Sequence, residues 1–335
     1  MIDGVSMARR GWTRRDFLHA GAGMGAVLAG AETLAAPGWL SYLLTGEPGK
    51  DESLAELIRR APRARYWISA ADSASAADCR ACHDPGQAAL EPGQPHEDRS
   101  VRCLLCAQNC LIGVGQRGLC RARLNVSGEL RSLVYGRPIS VHVDPIEKKP
   151  LYHFLPGSAA FSLATSGCPL RCKFCQNWEI SQARPEDHHS EFVAPERVVQ
   201  ASVSRKAPVI AFTYNEPTVF TEYLTDIARL ARPRGVRSVL ISCGFMNEAP
   251  LAEMCELLDG IKIDLKGFSP AFYRDVSQAE LQPVLRSIKQ VAASGTHLEL
   301  VNLVVPTLND SPSMLTELAK WVAGEIGPDV PLHFT

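Results

Sequence analysis

The sequence predicts an α/β fold, a partial (β/α)6 TIM-like barrel preceded by a small Cys-rich N-terminal extension, and three observations predict it. Short, almost continuously apolar runs rich in β-branched residues recur in the C-terminal half, at 160–165, 209–213, 238–242, 261–265, 298–305 and 330–334. Stretches with helical spacing separate them: Val219, Phe220, Tyr223, Leu224, Ile227 and Leu230 form one, and Leu315, Leu318, Trp321, Val322 and Ile326 another, behind Ser311-Pro312 as a helix start. Runs this apolar are strands buried on both faces, and helices between them make the sheet parallel. In such a layout the chemistry sits at the C-terminal ends of the strands. The sixth run reaches Thr335, the last residue, without a covering helix. The sequence is therefore expected to be a truncated piece of a longer chain.

The 335 residues suggest about two domains at about 150 residues each. With 46% hydrophobic and 21% charged residues the chain has an ordinary globular composition, which excludes wholesale disorder. The net charge of −1 offers no general basic excess, so nucleic acid is not an expected partner. No window approaches the roughly 18 uninterrupted apolar residues of a membrane span, so the chain is not expected to be transmembrane. Of the 11 cysteines, all but Cys243 and Cys255 fall in three short clusters.

Residues 1–36 have the order of an export signal. Thr13-Arg14-Arg15-Asp16-Phe17-Leu18 precedes a weakly apolar Ala/Gly stretch, then small residues at Ala29-Gly30-Ala31 and Leu34-Ala35-Ala36 suit a peptidase. The paired arginines before Phe17-Leu18 resemble a twin-arginine signal, which implies a periplasmic protein. A disordered basic N-terminus on a cytoplasmic protein, or a misplaced start codon, is the alternative. The twin-arginine route carries folded proteins, which suits a metal centre built before export.

Residues 37–100 are rich in Pro, Gly, Ala, Asp and Glu and read as a linker or extension, interrupted by a helical stretch at 54–60 and by Tyr66 and Trp67. Within it Cys79-Arg80-Ala81-Cys82-His83 fits the c-type haem attachment pattern, two thiols for the vinyls and His83 as axial ligand. A stray pair, or part of another metal site, fits it equally. His96 and the pair His188-His189 read as solvated. Residues 101–150 form a Cys-rich segment with Cys103, Cys106, Cys110 and Cys120. Four thiols could close a tetrahedral zinc or hold a second iron–sulfur cluster, and Gly113, Gly115 and Gly118 let the loop fold tightly round an ion. Reduced or disulfide-bonded thiols are the other reading. A short β-like stretch, 130–143, follows, and the barrel occupies 151–335, the pattern changing after Pro156-Gly157.

Cys168, Cys172 and Cys175 place three thiols within eight residues, just after the first barrel strand. Three are one too few for a closed structural zinc site. They suit a [4Fe–4S] cluster with three irons tied to protein and one left open. An open iron can chelate an amine and a carboxylate together, and S-adenosylmethionine (SAM) presents both.

The spacing Cys-x3-Cys-x2-Cys, with Phe174 before the last Cys, resembles the radical SAM superfamily. Thr213-Tyr214-Asn215-Glu216-Pro217 stands where that family has a Gly-Gly-Glu-Pro-like loop, Tyr214 and Asn215 replacing the glycines. Ser242-Cys243-Gly244-Phe245 and Asp264-Leu265-Lys266 are similar to Thr-Asn-Gly-Phe and Asp-Leu-Lys of glycyl-radical activating enzymes. The resemblance implies cofactor contacts from Glu216 to the amino group, Lys266 to the carboxylate, Asp264 near the ribose or a cation, Ser242 at the end of strand three, and Val305 beside the adenine. Taken singly, a helix start, an exposed Asp and Lys at a strand end, and a buried strand explain these residues as well.

More closely, Arg102-Cys103-Leu104-Leu105-Cys106, Gly118-Leu119-Cys120-Arg121, the run from His142 to Leu151, Cys175-Gln176-Asn177-Trp178 and Val305-Pro306-Thr307-Leu308-Asn309-Asp310 are similar to the radical enzyme of the AmmeMemoRadiSam system, a relative of the pyruvate formate-lyase activating enzyme. That resemblance spans 101–335. It implies reductive cleavage of SAM to a 5′-deoxyadenosyl radical that takes hydrogen from a protein glycine or a small molecule. It also implies a low-potential electron donor and Memo-like and AMME-domain partners. An exported iron–sulfur and haem electron-transfer protein without SAM chemistry is the reading from another class, and Glu216 and Lys266 discriminate the two. A low-potential cluster and an export signal pull in opposite directions, so either the host lives without oxygen or the signal is retained or misread.

Overall fold

The computed structural model describes residues 53–70 and 99–335, all within one compact unit, Pro48–Thr335. Arg14 and Arg15 of the expected signal, the Cys79, Cys82 and His83 motif, and His96 lie outside the described residues.

The first helix, α1 (Leu54–Arg60), stands where its pattern predicts it, because Ser53 closes a capping box. The Ser53 hydroxyl accepts the Glu56 N–H at 3.3 Å, and the Glu56 carboxylate reaches back to the Ser53 N–H at 3.2 Å. β1 (Trp67–Ser69) pairs antiparallel with β2 (Val101–Cys103), which pairs with β3 (Leu111–Ile112); β4 (Arg123–Val126) and β5 (Glu129–Ser132) form a hairpin. Ala64, Val101, Cys103, Leu105, Ile112 and Leu130 pack as their shared core, with Tyr66 and Trp67 against it. Residues 53–70, linker-like in composition, are thus built into the Cys-rich module.

Seven strands make the main sheet: β6 (Ser140–Pro145), β7 (Ala159–Ala164), β8 (Val209–Phe212), β9 (Arg237–Ser242), β10 (Gly260–Asp264), β11 (His297–Asn302) and β12 (Leu332–Phe334). Their order is β12-β11-β10-β9-β8-β7-β6, parallel throughout except that β6 runs antiparallel to β7, Ser140 facing Ala164 and Pro145 facing Ala159. Each of the six parallel strands falls on one of the six apolar runs, and the sheet is an open, partial barrel. The β-like stretch expected at 130–143 divides between β5 and β6, so the main sheet begins ahead of residue 151.

The helices between strands are α2 (Pro195–Ser204), α3 (Thr221–Ala231), α4 (Glu248–Leu257), α5 (Leu281–Ser294) and α6 (Pro312–Trp321). Ser311 starts α6 as its sequence predicts, its hydroxyl accepting the Met314 N–H at 3.3 Å. Gly295, at φ +79°, ends α5 in the left-handed conformation that glycine adopts without strain. Tyr223, Leu224 and Ile227 of α3 are wholly buried. On the inner face of the sheet Ala160, Val209, Ala211, Val239 and Ile241 pack with Ile146 and Leu151, each large aliphatic contributing about 1.5–3 kcal/mol of burial. Higher positions of that face carry polar side chains, and there the site forms. Among the described residues no helix is long and apolar enough to cross a membrane.

Candidate functional site

Cys168, Cys172 and Cys175 occupy the loop beyond the C-terminal end of β7. Backbone bonds fix this loop from outside: the Arg171 N–H donates to the Ser277 carbonyl and the Lys173 N–H to the Val276 carbonyl, both at 3.0 Å. Inside it, the Leu170 N–H lies 3.4 Å from Cys168 Sγ, and Cys175 Sγ lies 3.3 Å from Ser181 Oγ. Burial pushes the Cys168 and Cys172 thiols up; Glu216 adds to this for Cys168, and Lys266 opposes it for Cys172. Gly167 makes the close approach possible. It sits at φ +97°, and a Cβ there would stand 2.4 Å from the Cys120 carbonyl oxygen. A Gly167→Ala variant is expected to lose about 1–3 kcal/mol from the strained backbone alone, more with the clash, seen as a lower midpoint in urea unfolding.

All three thiols line one cavity of about 570 Å³ at the C-terminal strand ends. Three of the five expected cofactor contacts line it too: Glu216, Asp264 and Lys266. Glu216 is buried and fully engaged. Its Oε1 accepts the hydroxyls of Thr218 (2.6 Å) and Ser242 (2.9 Å), and its Oε2 accepts the Cys243 N–H (2.8 Å). The residue braces the end of β8 against that of β9, and Ser242 serves it from behind the cavity wall.

Val305 is a correction to the expected strand. β11 stops at Asn302, three residues early, because the Asn309 side chain captures the backbone beyond it. Asn309 Oδ1 accepts the Val305 N–H at 2.5 Å, while its Nδ2 donates to the carbonyls of Leu303 (2.8 Å) and Lys266 (2.7 Å). Leu303, not Val305, lines the cavity.

Lys266 points its ammonium at Asp264 Oδ2 (3.6 Å) and over the Phe174 ring (5.8 Å to its centroid). Burial pushes it down, but Asp264 and the thiols of Cys172 and Cys243 outweigh this and raise it, so it is a firm cation. Lys262, buried on the same strand, pairs with the other oxygen of Asp264. Asn215 lends its Nδ2 to the Gly167 carbonyl at 2.8 Å, whereas its Oδ1 is buried without a partner in a residue that lines the cavity. A cation beside three thiols and an orphaned acceptor fit a cluster carrying an amine and a carboxylate. A fourth thiol, Cys243, also lines the space.

A second wall comes from β6 and the turn after it. Asp144 accepts Lys149 Nζ at 2.8 Å, Lys148 Nζ at 2.9 Å and the Tyr214 hydroxyl at 2.9 Å. Lys149 is buried and also lies 4.7 Å from the Tyr214 ring centroid. The signal available in the sequence was the strand alternation that sets His142 and Asp144 on one face. Burial pushes the Asp144 carboxyl up, but Lys149, Lys148 and Tyr214 hold it well below the usual range. A depressed carboxyl stabilises the fold fully above its ordinary pKa of about 4, and the gain is lost as the pH falls. Wild type is therefore expected to exceed Asp144→Asn in urea midpoint by a constant margin from pH 7 to about pH 4, shrinking below.

The second thiol set belongs to the Cys-rich module. Cys103 ends β2; Cys110 Sγ and Cys120 Sγ both lie 3.8 Å from where a Cβ of Gly118 would stand. Burial, then the neighbouring Cys103, pushes the Cys120 thiol up to about 12, and Cys106 is raised by burial and by Cys103, Cys120 and Cys110. All nine described cysteines are free. The module docks on the cluster side of the barrel: Asn247 Nδ2 donates to the carbonyl of Leu104 (2.9 Å), and Gln108 Nε2 to that of Pro169 (3.0 Å).

Comparison with known proteins agrees with this geometry. Residues 162–322 match the radical SAM superfamily. Over 239 residues the chain is 40% identical to an uncharacterized protein of Methanocaldococcus jannaschii, covering 71% of each. It is 23% identical over 174 residues to a pyruvate formate-lyase-activating enzyme of Listeria monocytogenes, covering 48% of this chain and 68% of that one. A solved domain of a pyruvate-formate lyase-activating enzyme from Bacteroides vulgatus aligns with 36% of this chain and 74% of its own, at 17% identity and a TM-score of 0.34. With the cysteine loop, the open parallel sheet, the family match and the two sequence relatives together, the chain belongs to the radical SAM superfamily of enzymes, which implies a [4Fe–4S] cluster and SAM.

Proposed function

We propose that this chain is an activating-enzyme-like radical SAM enzyme whose cluster is held by Cys168, Cys172 and Cys175. One observation carries the reading: the three thiols, the Lys266 cation, Asp264 and the orphaned Asn215 Oδ1 share one cavity. When bound, the cluster supplies the electron that splits SAM into methionine and a 5′-deoxyadenosyl radical able to take hydrogen from a substrate. The protein's own share is positional. Lys266 offers a charge to the SAM carboxylate, Asn215 Oδ1 an acceptor to its amine, and Asp264 an acceptor to its ribose. Glu216 keeps the ends of β8 and β9 in register beneath them, and Ile241 and Leu303 add apolar wall. An electron carrier has no use for such a set, which favours the enzyme over an exported electron-transfer protein.

The substrate is a protein glycine or a small molecule, served by a low-potential donor and, by resemblance, Memo-like and AMME-domain proteins. The second thiol set, Cys103, Cys106, Cys110 and Cys120, holds zinc or a second iron–sulfur cluster in this reading. Export through Arg14 and Arg15 and haem on Cys79, Cys82 and His83 complete it, and a pyridine haemochrome spectrum tests the haem.

The decisive experiment is anaerobic reconstitution of the full chain followed by reduction with SAM present. Release of 5′-deoxyadenosine is expected, and a Lys266→Met variant is expected to bind SAM more weakly. A reducible cluster that leaves SAM intact would overturn the proposal.

A further inference from the structure

One layer below that cavity, on the same face of the sheet, stands a group of residues the radical chemistry does not use. Glu299 lies mid-β11, opposite Lys262 in the register, and is wholly buried. His333 of β12 sets Nε2 2.8 Å from Glu299 Oε2, and His153, between β6 and β7, sets Nδ1 3.4 Å from the same oxygen. One ligand atom from each of the three lies within 4.8 Å of the other two. The rings of His153 and His333 stack, 25° apart in plane with centroids 5.5 Å apart.

Two observations point to a cation. The first is the donor set. Glu299 is wholly buried, and three histidine side chains converge on its carboxylate, with ring nitrogens of His153, His297 and His333 at 3.4, 3.0 and 2.8 Å from its oxygens. Lys262, its neighbour across the strands, is committed to Asp264. The second is geometric. Donors bound at about 2.0–2.2 Å to one ion stand about 3.0–3.5 Å apart for angles near 90–110°, and the two histidine nitrogens lie close to that range from Glu299 Oε2, at 2.8 and 3.4 Å.

We propose that His153, Glu299 and His333 bind a divalent first-row cation, zinc in the first place. Two imidazoles and one carboxylate suit a borderline metal, whereas magnesium and calcium prefer oxygen donors throughout. His297 Nε2, 3.0 Å from Glu299 Oε1, orients the carboxylate from behind. The ion ties β11 and β12 to the segment that carries His153. The His153 side chain is 58% exposed, which gives the metal a path in. Three protein ligands leave a fourth position to water, the arrangement of an open zinc site.

Zinc titration of the full chain, with its iron–sulfur centres reconstituted and loose metal removed by chelator, tests the site. X-ray absorption at the zinc edge separates it from any thiolate zinc. A nitrogen/oxygen shell at about 2.0–2.1 Å is expected, against about 2.3 Å for sulfur. Binding at that shell is expected to weaken at least about tenfold in His333→Ala and His153→Ala, and by about 10–100-fold in His297→Ala, as for other orienting partners. His153 is mostly exposed, so its variant keeps the test clear of misfolding. A sulfur-only shell, or a nitrogen/oxygen shell bound as tightly by both ligand variants as by wild type, overturns the proposal. Neither outcome bears on the release of 5′-deoxyadenosine.

Discussion

A Cys172→Ser variant is expected to release no detectable 5′-deoxyadenosine, while Cys243→Ser releases it at the wild-type level. The first follows from the donor set. With only three thiols in the β7 loop, losing one leaves two protein anchors, and a serine hydroxyl is too basic and too hard a donor to replace a thiolate on iron. The second decides whether a corner of the cluster is open. Cys243 lines the same cavity, buried at the end of β9, with its N–H committed to Glu216. If its sulfur were a fourth ligand, SAM would have no iron to dock on. Iron and sulfide content and the low-temperature EPR spectrum of the reduced protein, measured alongside product release, separate these cases. Parallel loss in both variants would show four-thiol ligation.

Replacing Arg123 with Met is expected to destabilise the fold by about 3–5 kcal/mol, because it leaves a buried carboxylate without its partner. Arg123 of β4 is 1% exposed and contacts Glu222 of α3 at 2.5 Å, while its other guanidinium nitrogen donates to the Arg65 carbonyl at 2.7 Å. Glu222 Oε1 also accepts the Arg65 N–H at 2.7 Å, so three distant segments meet at one oxygen. Glu222 Oε2 and Arg123 Nε have no partner, which leaves the pair little in reserve. Urea unfolding followed by tryptophan fluorescence measures the loss. The double variant Arg123→Met/Glu222→Leu is expected to recover much of it, since apolar replacement of both partners removes the stranded charge. Failure of the double variant to recover would place the effect in packing.

These two predictions also mark how far the residues could be read without coordinates. The strands were legible because burial on both faces leaves a continuous apolar run, as in Val209–Phe212. The three-thiol loop was legible because its cysteines lie within eight residues, and the structure sets all three on one cavity. Asp144, Lys149 and Tyr214 were not, since 65 residues separate Lys149 from the Tyr214 hydroxyl it meets. The same holds for Arg123 and Glu222, 99 residues apart. Val305 went astray because an apolar run continues past Asn302 while a single side chain, Asn309, ends the ladder. A hydrophobic pattern reports burial, and it is blind to a hydrogen bond that redirects the backbone.

The reversed direction of β6 bears on how the molecule assembles. Parallel neighbours need a helical crossover before they can meet, whereas β6 and β7 are joined by residues 146–158, a shorter stretch than any crossover in the sheet, and pair antiparallel from Ser140 with Ala164 to Pro145 with Ala159. Closing this loop costs less chain entropy than closing the longer crossovers. As the polypeptide leaves the ribosome, this hairpin is the earliest piece of the main sheet able to form, and it gives β8 an edge on which to nucleate. The residues from β6 that wall the cavity thus belong to a pairing complete in sequence about 100 residues before Lys266.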